Sequence, residues 1–460
     1  MTKAQNLLNE KLIEFNRSFE FDQRLFAHDV RVSIAYCNAL FHAGIVTRIE
    51  SERIKNGLQT ILKRADFYTD YFEEPTASDV HSFVELRLIQ LIGDAGEKLN
   101  VGRSRHDQAA TAFRLWLREE IERISAAARD LQLILIDAGE RQKEAVLPAY
   151  INSQRAQPVL WAHWCLAYFE MFSRDRERLD EVWRRVNVLP LGAGAAAGTS
   201  IEIDREEIAA ALGFEGISAN SLDTAADADF AVESVAACAL TAIHVSRLAE
   251  DLILYNSTEF GFLEFGDAPT NLLSVANKIP EALELVRGKT ARIIGSQTSL
   301  FSIVKNLPLG VHRDLQENKT AVFETVDALR SCLQIVSIIL KSLRVNETKT
   351  LAAVTENYLN AAELTDYLVQ RNVPFKAAQS AVGEIVSYAA AQEKKLENLS
   401  LEEFRRFSEA VGDDVFSNLS QEQMLASKNQ IGGTSPERVF EALEHARESL
   451  QREDTPTGKK

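Results

Sequence analysis

From Asp107 onward, apolar positions recur at helical intervals. In AATAFRLWLREEIERISAAARDLQLILIDAGERQKEA, Phe113, Leu117, Ile121 and Ile124 fall three and four residues apart and form one continuous stripe. A second long helix is predicted after Pro158, through WAHWCLAYFEMFSRDRERLDEVWRRV. A third, DADFAVESVAACALTAIHVSRLAEDLILYN, is apolar on more than one face, so it must be buried on several sides, as at the centre of a bundle. Two more are predicted, from Pro280 to about Ser299 and from about Lys319 to Leu343. Residues 1–110 read as short helical segments and loops, and the tail from about Asn360 as a smaller helical unit ending in REDTPTGKK. Strand periodicity is almost absent. The expectation is an all-α protein with a central long-helix bundle, divided into an N-terminal domain 1–110, a bundle domain 111–359 and a small helical domain 360–460.

Polar residues concentrate where this pattern breaks. Gly102–Gln108, Tyr150–Pro158 and Leu307–Lys319 read as loops between helices, and loops held on rigid scaffolds are where chemistry usually sits. A fourth loop opens GDAPTNLLSVANKIPEALELVRGK, which enters a helix at Pro280-Glu281 with a proline and an acid in the first turn. The glycine-rich run Leu189–Ser200 lacks the lysine of a nucleotide-binding loop and follows no predicted strand, so it reads as a tight turn between packed helices.

Charge and cysteine use narrow the partners. A formal net charge of −16 argues against nucleic acid or an anionic membrane as partner, although a cleft in an acidic protein can still be locally basic. Cys37, Cys165, Cys238 and Cys332 lie in apolar helical settings without a CxxC pair, and read as buried reduced thiols. No run approaches the ~18 uncharged apolar residues of a membrane span. The N-terminal residues lack the apolar core of a signal peptide. A cytoplasmic protein is expected.

Several blocks, in order, carry a resemblance over essentially the whole chain: FNRSFEFDQRL, GRSRHDQAAT, RAQPVLWAHWCLAYFEMF, NVLPLGAGAAAGTS, NSLDTAADADF, SRLAEDLILYNSTEFGF, DLQENKTAVF, DYLVQRNVPFKAA and NQIGGTSPERV. They resemble the argininosuccinate lyase branch of the aspartase/fumarase superfamily. That resemblance implies a homotetramer with a twenty-helix core, active sites built from loops of three subunits, and no metal or organic cofactor. It also implies anti elimination, in which a proton beside a carboxylate is removed, an aci-carboxylate forms and the C–N bond breaks to release fumarate.

The same resemblance locates departures. Where the family's G-S-S-x-M-P-x-K-x-N-P loop has its serine, lysine and asparagine, this chain has Asn271, Asn277 and Ile279, with Lys278 beside the lost lysine. The T-H-L-Q histidine is Asn152, the asparagine of R-S-R-N-D is His106, and the tyrosine of the Leu307–Lys319 loop is Val311, followed by His312. Ser18, Asp22, His81, Arg103, Ser104, Arg105, Gln154, Gln316 and Lys319 match the family and are the substrate-binding candidates; Asp107, Gln108 and Glu284 match as well, and Glu284 is the carboxylate that backs the lost histidine. The catalytic candidates are therefore His106, Asn152, Asn271, Lys278, Glu284 and His312. An asparagine amide cannot act as a base near neutral pH, and losing even one anion-stabilising donor costs on the order of 10²–10³ in rate. Histidine is the commonest acid–base residue, so His106 and His312 are candidates for new chemistry. A metal site from His81, His106 and His312 is disfavoured, because no two of them lie at helical ligand spacing.

Three readings stay open. The chain binds an anionic amino-acid or N-succinyl-type molecule with altered lyase-type chemistry; or it is an inactive paralogue serving as a binding or scaffold protein; or it is a genuine argininosuccinate lyase releasing fumarate and arginine.

Overall fold

A computed structural model describes residues 3–73, 77–265, 278–355 and 358–454. The helices are numbered α1, Lys3–Asn16; α2, Phe26–His42; α3, Arg48–Phe67; α4, Val80–Ile92; α5, Arg105–Arg141; α6, Trp161–Val186; α7, Asp229–Asn256; α8, Lys278–Val304; and α9, Glu317–Lys341. The last five run 25 to 37 residues, well beyond the usual ~11–12. The fold is all-α. The predicted stripe of α5 is buried throughout, from Phe113 and Leu117 to Ile121 and Ile124. The alanine-rich α7 buries Ala231, Val235, Cys238, Ala242, Val245, Leu248, Ala249 and Leu252, as an all-round apolar helix must.

That helix bears on the membrane expectation. Among the described residues, Asp229–Asn256 is long and apolar enough to cross a membrane by length and composition. Its most apolar window is 56% buried inside the protein, and Glu233, Arg247, Glu250 and Asp251 share the helix, so its hydrophobicity is spent on core packing.

Two compact units divide the chain, and the division cuts through the long helices. The first unit comprises Met1–Ala126, Asp175–Ile243 and Lys289–Ser331. Its N-terminal helices are longer than expected. The 20-residue α3 starts at a capping box, in which the Thr47 side chain accepts from the Glu50 N–H and Glu50 accepts from the Thr47 N–H. Phe19, Phe26, Phe72 and Phe83 form an aromatic cluster with ring centroids 5.1–6.0 Å apart.

The second unit comprises Ala127–Arg174, His244–Gly288 and Cys332–Lys460. Here the expected loop at Tyr150–Pro158 is instead an antiparallel hairpin, β1 Val146–Ile151 and β2 Gln154–Leu160. Asn152 and Ser153 have φ of 51° and 61°, the left-handed pair that a two-residue hairpin turn requires. Asn152 therefore occupies a position that favours asparagine on backbone grounds alone. Two short ribbons, Val188–Leu189 with Gly216–Ile217 and Leu263–Phe265 with Leu343–Val345, complete the strands among the described residues. The third predicted helix ends at Asn256, where its sequence block does, and the chain then passes into the strand Leu263–Phe265. Towards the C-terminus, Leu364, Leu368, Ile385, Phe404 and Val411 close a small core of their own. Cys37, Cys165, Cys238 and Cys332 are all buried.

Candidate active site

The first unit holds a cavity of about 540 Å³. Ser18, His81, Ser104, Arg105, His106, His312, Gln316 and Lys319 line it, with Phe113 and Phe230 among the apolar walls. Eight of the fifteen candidates from the sequence thus share one surface. The elements that deliver them are the end of the loop before α5 and the first turn of α5, the start of α4, the segment that leads into the first turn of α9, and the residues after α1. Arg105, Arg313 and Lys319 face it against Asp79 and Asp227, so within an acidic chain the cavity carries one more cation than carboxylate.

Two of the cations are paired with carboxylates. Lys319 Nζ lies 3.4 Å from Asp22 Oδ2, and Asp22 is fully buried. Asp22 also accepts from Ser18 Oγ at 2.8 Å and from the Val80 N–H at 3.0 Å. Asp22 therefore acts from behind the cavity wall, fixing both Ser18 and Lys319. Arg105 donates to Glu85 at 2.7 Å and to Gln108 at 3.1 Å. Arg103 is spent elsewhere: it donates to Ser33 Oγ and to Asn100 Oδ1, stacks 5.4 Å from the Tyr36 ring centroid, and does not line the cavity.

The three histidines differ in environment. His106 is half-buried, and burial lowers its pKa against a raising hydrogen bond to the Ala225 backbone, with Lys319 lowering it further. Its neutral form is favoured near pH 7. His312 Nε2 lies 2.9 Å from the Pro308 carbonyl; a carbonyl only accepts, so Nε2 carries the proton and Nδ1 is left as acceptor. His81 is 2% exposed, and its Nδ1 sits 2.7 Å from Asp29 Oδ1.

The glycine-rich run turns out to be an internal anion clamp. The N–H groups of Gly192 and Gly194 both donate to Oδ2 of Asp107, at 3.1 and 2.9 Å. Burial nevertheless pushes the Asp107 carboxyl up to about 6, against the lowering effect of those amides and of Arg103. Gly194 has φ +65°, and an added Cβ would stand 2.5 Å from the Gly198 carbonyl oxygen. The clamp requires glycine there.

The remaining candidates belong to the second unit or lie outside the described residues. Asn152 and Gln154 are exposed on the hairpin, and Gln154 lines a separate cavity of about 580 Å³ with Tyr150, Arg155, Glu259 and Phe260. Glu284 is exposed on α8, 3.7 Å from Arg287. Asn271 lies outside the described residues, as does the Lys278 side chain. Sequence reasoning missed Asp29, Asp79 and the aromatic walls. Phe113 was visible only as part of a helical stripe, and Asp29 stands 52 positions from its partner His81 without a motif.

Comparison with known proteins follows the same outline. Residues 8–295 match the family described as "Lyase", and residues 358–426 match "Argininosuccinate lyase C-terminal". An argininosuccinate lyase from Desulforudis audaxviator (strain MP104C) is 44% identical over 441 residues, covering 95% of this chain and 96% of that protein. The crystal structure of EDDS lyase in complex with formate superposes with a TM-score of 0.82 at 23% identity, over 94% of this chain and 88% of the other. The crystal structure of fumarate lyase from Mesorhizobium sp. BNC1 gives 0.74 at 19%, over 93% and 98%. At those identities the structures speak to the fold alone.

Proposed function

We propose that this chain, which belongs to the argininosuccinate lyase branch of the aspartase/fumarase superfamily, binds an anionic amino-acid or N-succinyl-type molecule and acts on it with altered lyase-type chemistry. The observation that carries this reading is the cavity where Arg105 and Lys319, both braced by carboxylates, face His106, His312 and the hydroxyls of Ser18 and Ser104. Two cations suit two carboxylates, and two imidazoles supply groups that exchange protons near neutrality. Ordinary argininosuccinate cleavage is disfavoured, because Asn271, Asn152 and Asn277 stand where the resemblance implies base, acid and anion-stabilising lysine. Those same replacements favour the second reading, a binding protein without turnover.

The proposal includes the homotetramer, the cytoplasmic location, the absence of a cofactor and the three-part organisation 1–110, 111–359 and 360–460. Leu240 and Leu254 on α7, Leu285, Ile294 and Phe301 on α8 and Ile338 on α9 are exposed, which supports partner subunits along the long helices. The test is proton NMR of argininosuccinate mixed with the purified protein at high concentration. Saturation transfer to the ligand without fumarate production at the rate of an ordinary lyase is expected. Absence of any transfer, or ready release of fumarate, would overturn the reading.

A further inference from the structure

We propose that His81, oriented by Asp29, is the proton-accepting group of the cavity. This rests on the reading above that the cavity takes a carboxylate ligand. His81 is 2% exposed and Asp29 fully buried, with Nδ1 of the ring 2.7 Å from Oδ1 of the carboxylate. Gln108 Nε2 donates to the same oxygen at 2.7 Å, which fixes the carboxylate from the other side. Burial alone would raise the Asp29 carboxyl; the charge and hydrogen bond of His81, with Arg103 and Gln108, hold it below its ordinary value. An ionised carboxylate only accepts, so the neutral ring carries its proton on Nδ1 and presents the Nε2 lone pair. That Nε2 is buried, has no hydrogen-bond partner among the described residues, and belongs to a side chain lining the cavity.

Neither of the other cavity histidines has this arrangement. The His106 ring is engaged by the Ala225 backbone and the His312 ring by the Pro308 carbonyl, and among the described residues neither has a hydrogen-bonded carboxylate behind it. The pairing of a buried carboxylate, an imidazole and a free ring nitrogen is the one that orients a general base and balances the imidazolium it becomes. The charged and titratable groups around the pair are Asp79, Arg105, Lys319 and His106 on the cavity side and Arg103 behind Asp29.

The step balances as follows in atoms and electrons. A ligand carbon beside a carboxylate gives its proton to Nε2, and the C–H electron pair moves into the carboxylate as an aci-carboxylate facing Lys319 and Arg105. That pair then returns to form the C=C bond as the C–N bond breaks. The C–N pair leaves with nitrogen, which takes a proton from water, and the imidazolium returns its proton to solvent.

The experiment measures deuterium wash-in at the succinyl carbons of argininosuccinate in deuterium oxide by NMR, beside calorimetric binding of the same compound. Wild-type protein is expected to exchange. His81→Gln is expected to bind and to exchange on the order of 10²–10⁴ more slowly. Asp29→Asn offers an amide that can face Nδ1, so its exchange falls and nitrogen-15 spectra show the ring proton shifted from Nδ1 to Nε2. His42→Asn, altered at a surface histidine paired with Glu207, is the control that keeps wild-type exchange. Undiminished exchange in His81→Gln, a wild-type ring protonated on Nε2, or a wild type that binds without exchanging would each overturn the assignment while leaving the ligand reading intact. Absence of wild-type binding would instead remove the ligand reading, and this inference with it. Should His81→Gln fail to fold, the wild-type tautomer and the Asp29→Asn exchange rate decide.

Discussion

Asp107→Asn should flatten part of the protein's stability profile against pH. The Asp107 carboxyl is 1% exposed, accepts two glycine amides on Oδ2 and has no partner for Oδ1 among the described residues. Burial outweighs the amides and lifts it from 3.8 to about 6 in the folded chain. A carboxyl whose pKa is raised on folding is proton-rich in the native state, so its stabilisation is complete below the unfolded value and is lost as pH rises through the folded one. At about 1.4 kcal/mol per pH unit, the interval from 3.8 to about 6 amounts to ~3 kcal/mol, lost between about pH 4 and pH 6. Asparagine keeps the acceptor for both amides and does not titrate. Its own burial cost is independent of pH and cancels in the slope. Thermal unfolding of both proteins from pH 4 to pH 8 therefore gives a difference curve, variant minus wild type, that rises by ~3 kcal/mol over that window and is flat above it. Parallel profiles would refute the reasoning, and a difference falling with pH would mean that the glycine amides outweigh burial.

Other perturbations read other parts of the site. Among the described residues, Lys319→Met leaves the buried Asp22 carboxylate with Ser18 and the Val80 N–H as its partners, and should destabilise by ~3 kcal/mol in denaturant unfolding. Gly194→Ala drives a methyl into the Gly198 carbonyl oxygen at a positive φ, costing ~2–3 kcal/mol, whereas Gly198→Ala, with φ +85° and open space around the new Cβ, costs ~1 kcal/mol; calorimetric melting ranks the two. Asn152→Val places a β-branched residue at φ 51° and should cost ~1–2 kcal/mol, while Asn152→Gly stays within ~0.5 kcal/mol of wild type in the same melting experiment.

The long helices were legible because their stripes persist over many turns, as Phe113, Leu117, Ile121 and Ile124 show, and because α7 is apolar all round. The hairpin was not. Pro148 and Pro158 break the strand pattern on both sides of the turn, yet they face each other in register, where a missing N–H is tolerated. The turn signal was present in Asn152-Ser153, and the capping-box signal of α3 in Thr47 and Glu50. Of the site, the cations and histidines could be read residue by residue from the resemblance. What could not be read was which partner each one had: Asp22 behind Lys319, Glu85 beside Arg105, Asp29 behind His81. Such pairs are set by packing between elements tens to hundreds of positions apart, and no local spacing encodes them. Arg103 illustrates the converse, since it matches the family by position while its guanidinium is committed to Ser33, Asn100 and Tyr36.

The most direct test of the account is titration calorimetry of argininosuccinate into wild-type protein and into Lys319→Met. A saturable isotherm for the wild type, lost in a folded Lys319→Met, is the predicted result. A wild type that shows no heat of binding, or a Lys319→Met variant that binds as tightly, would contradict the claim that this cavity holds a carboxylate ligand.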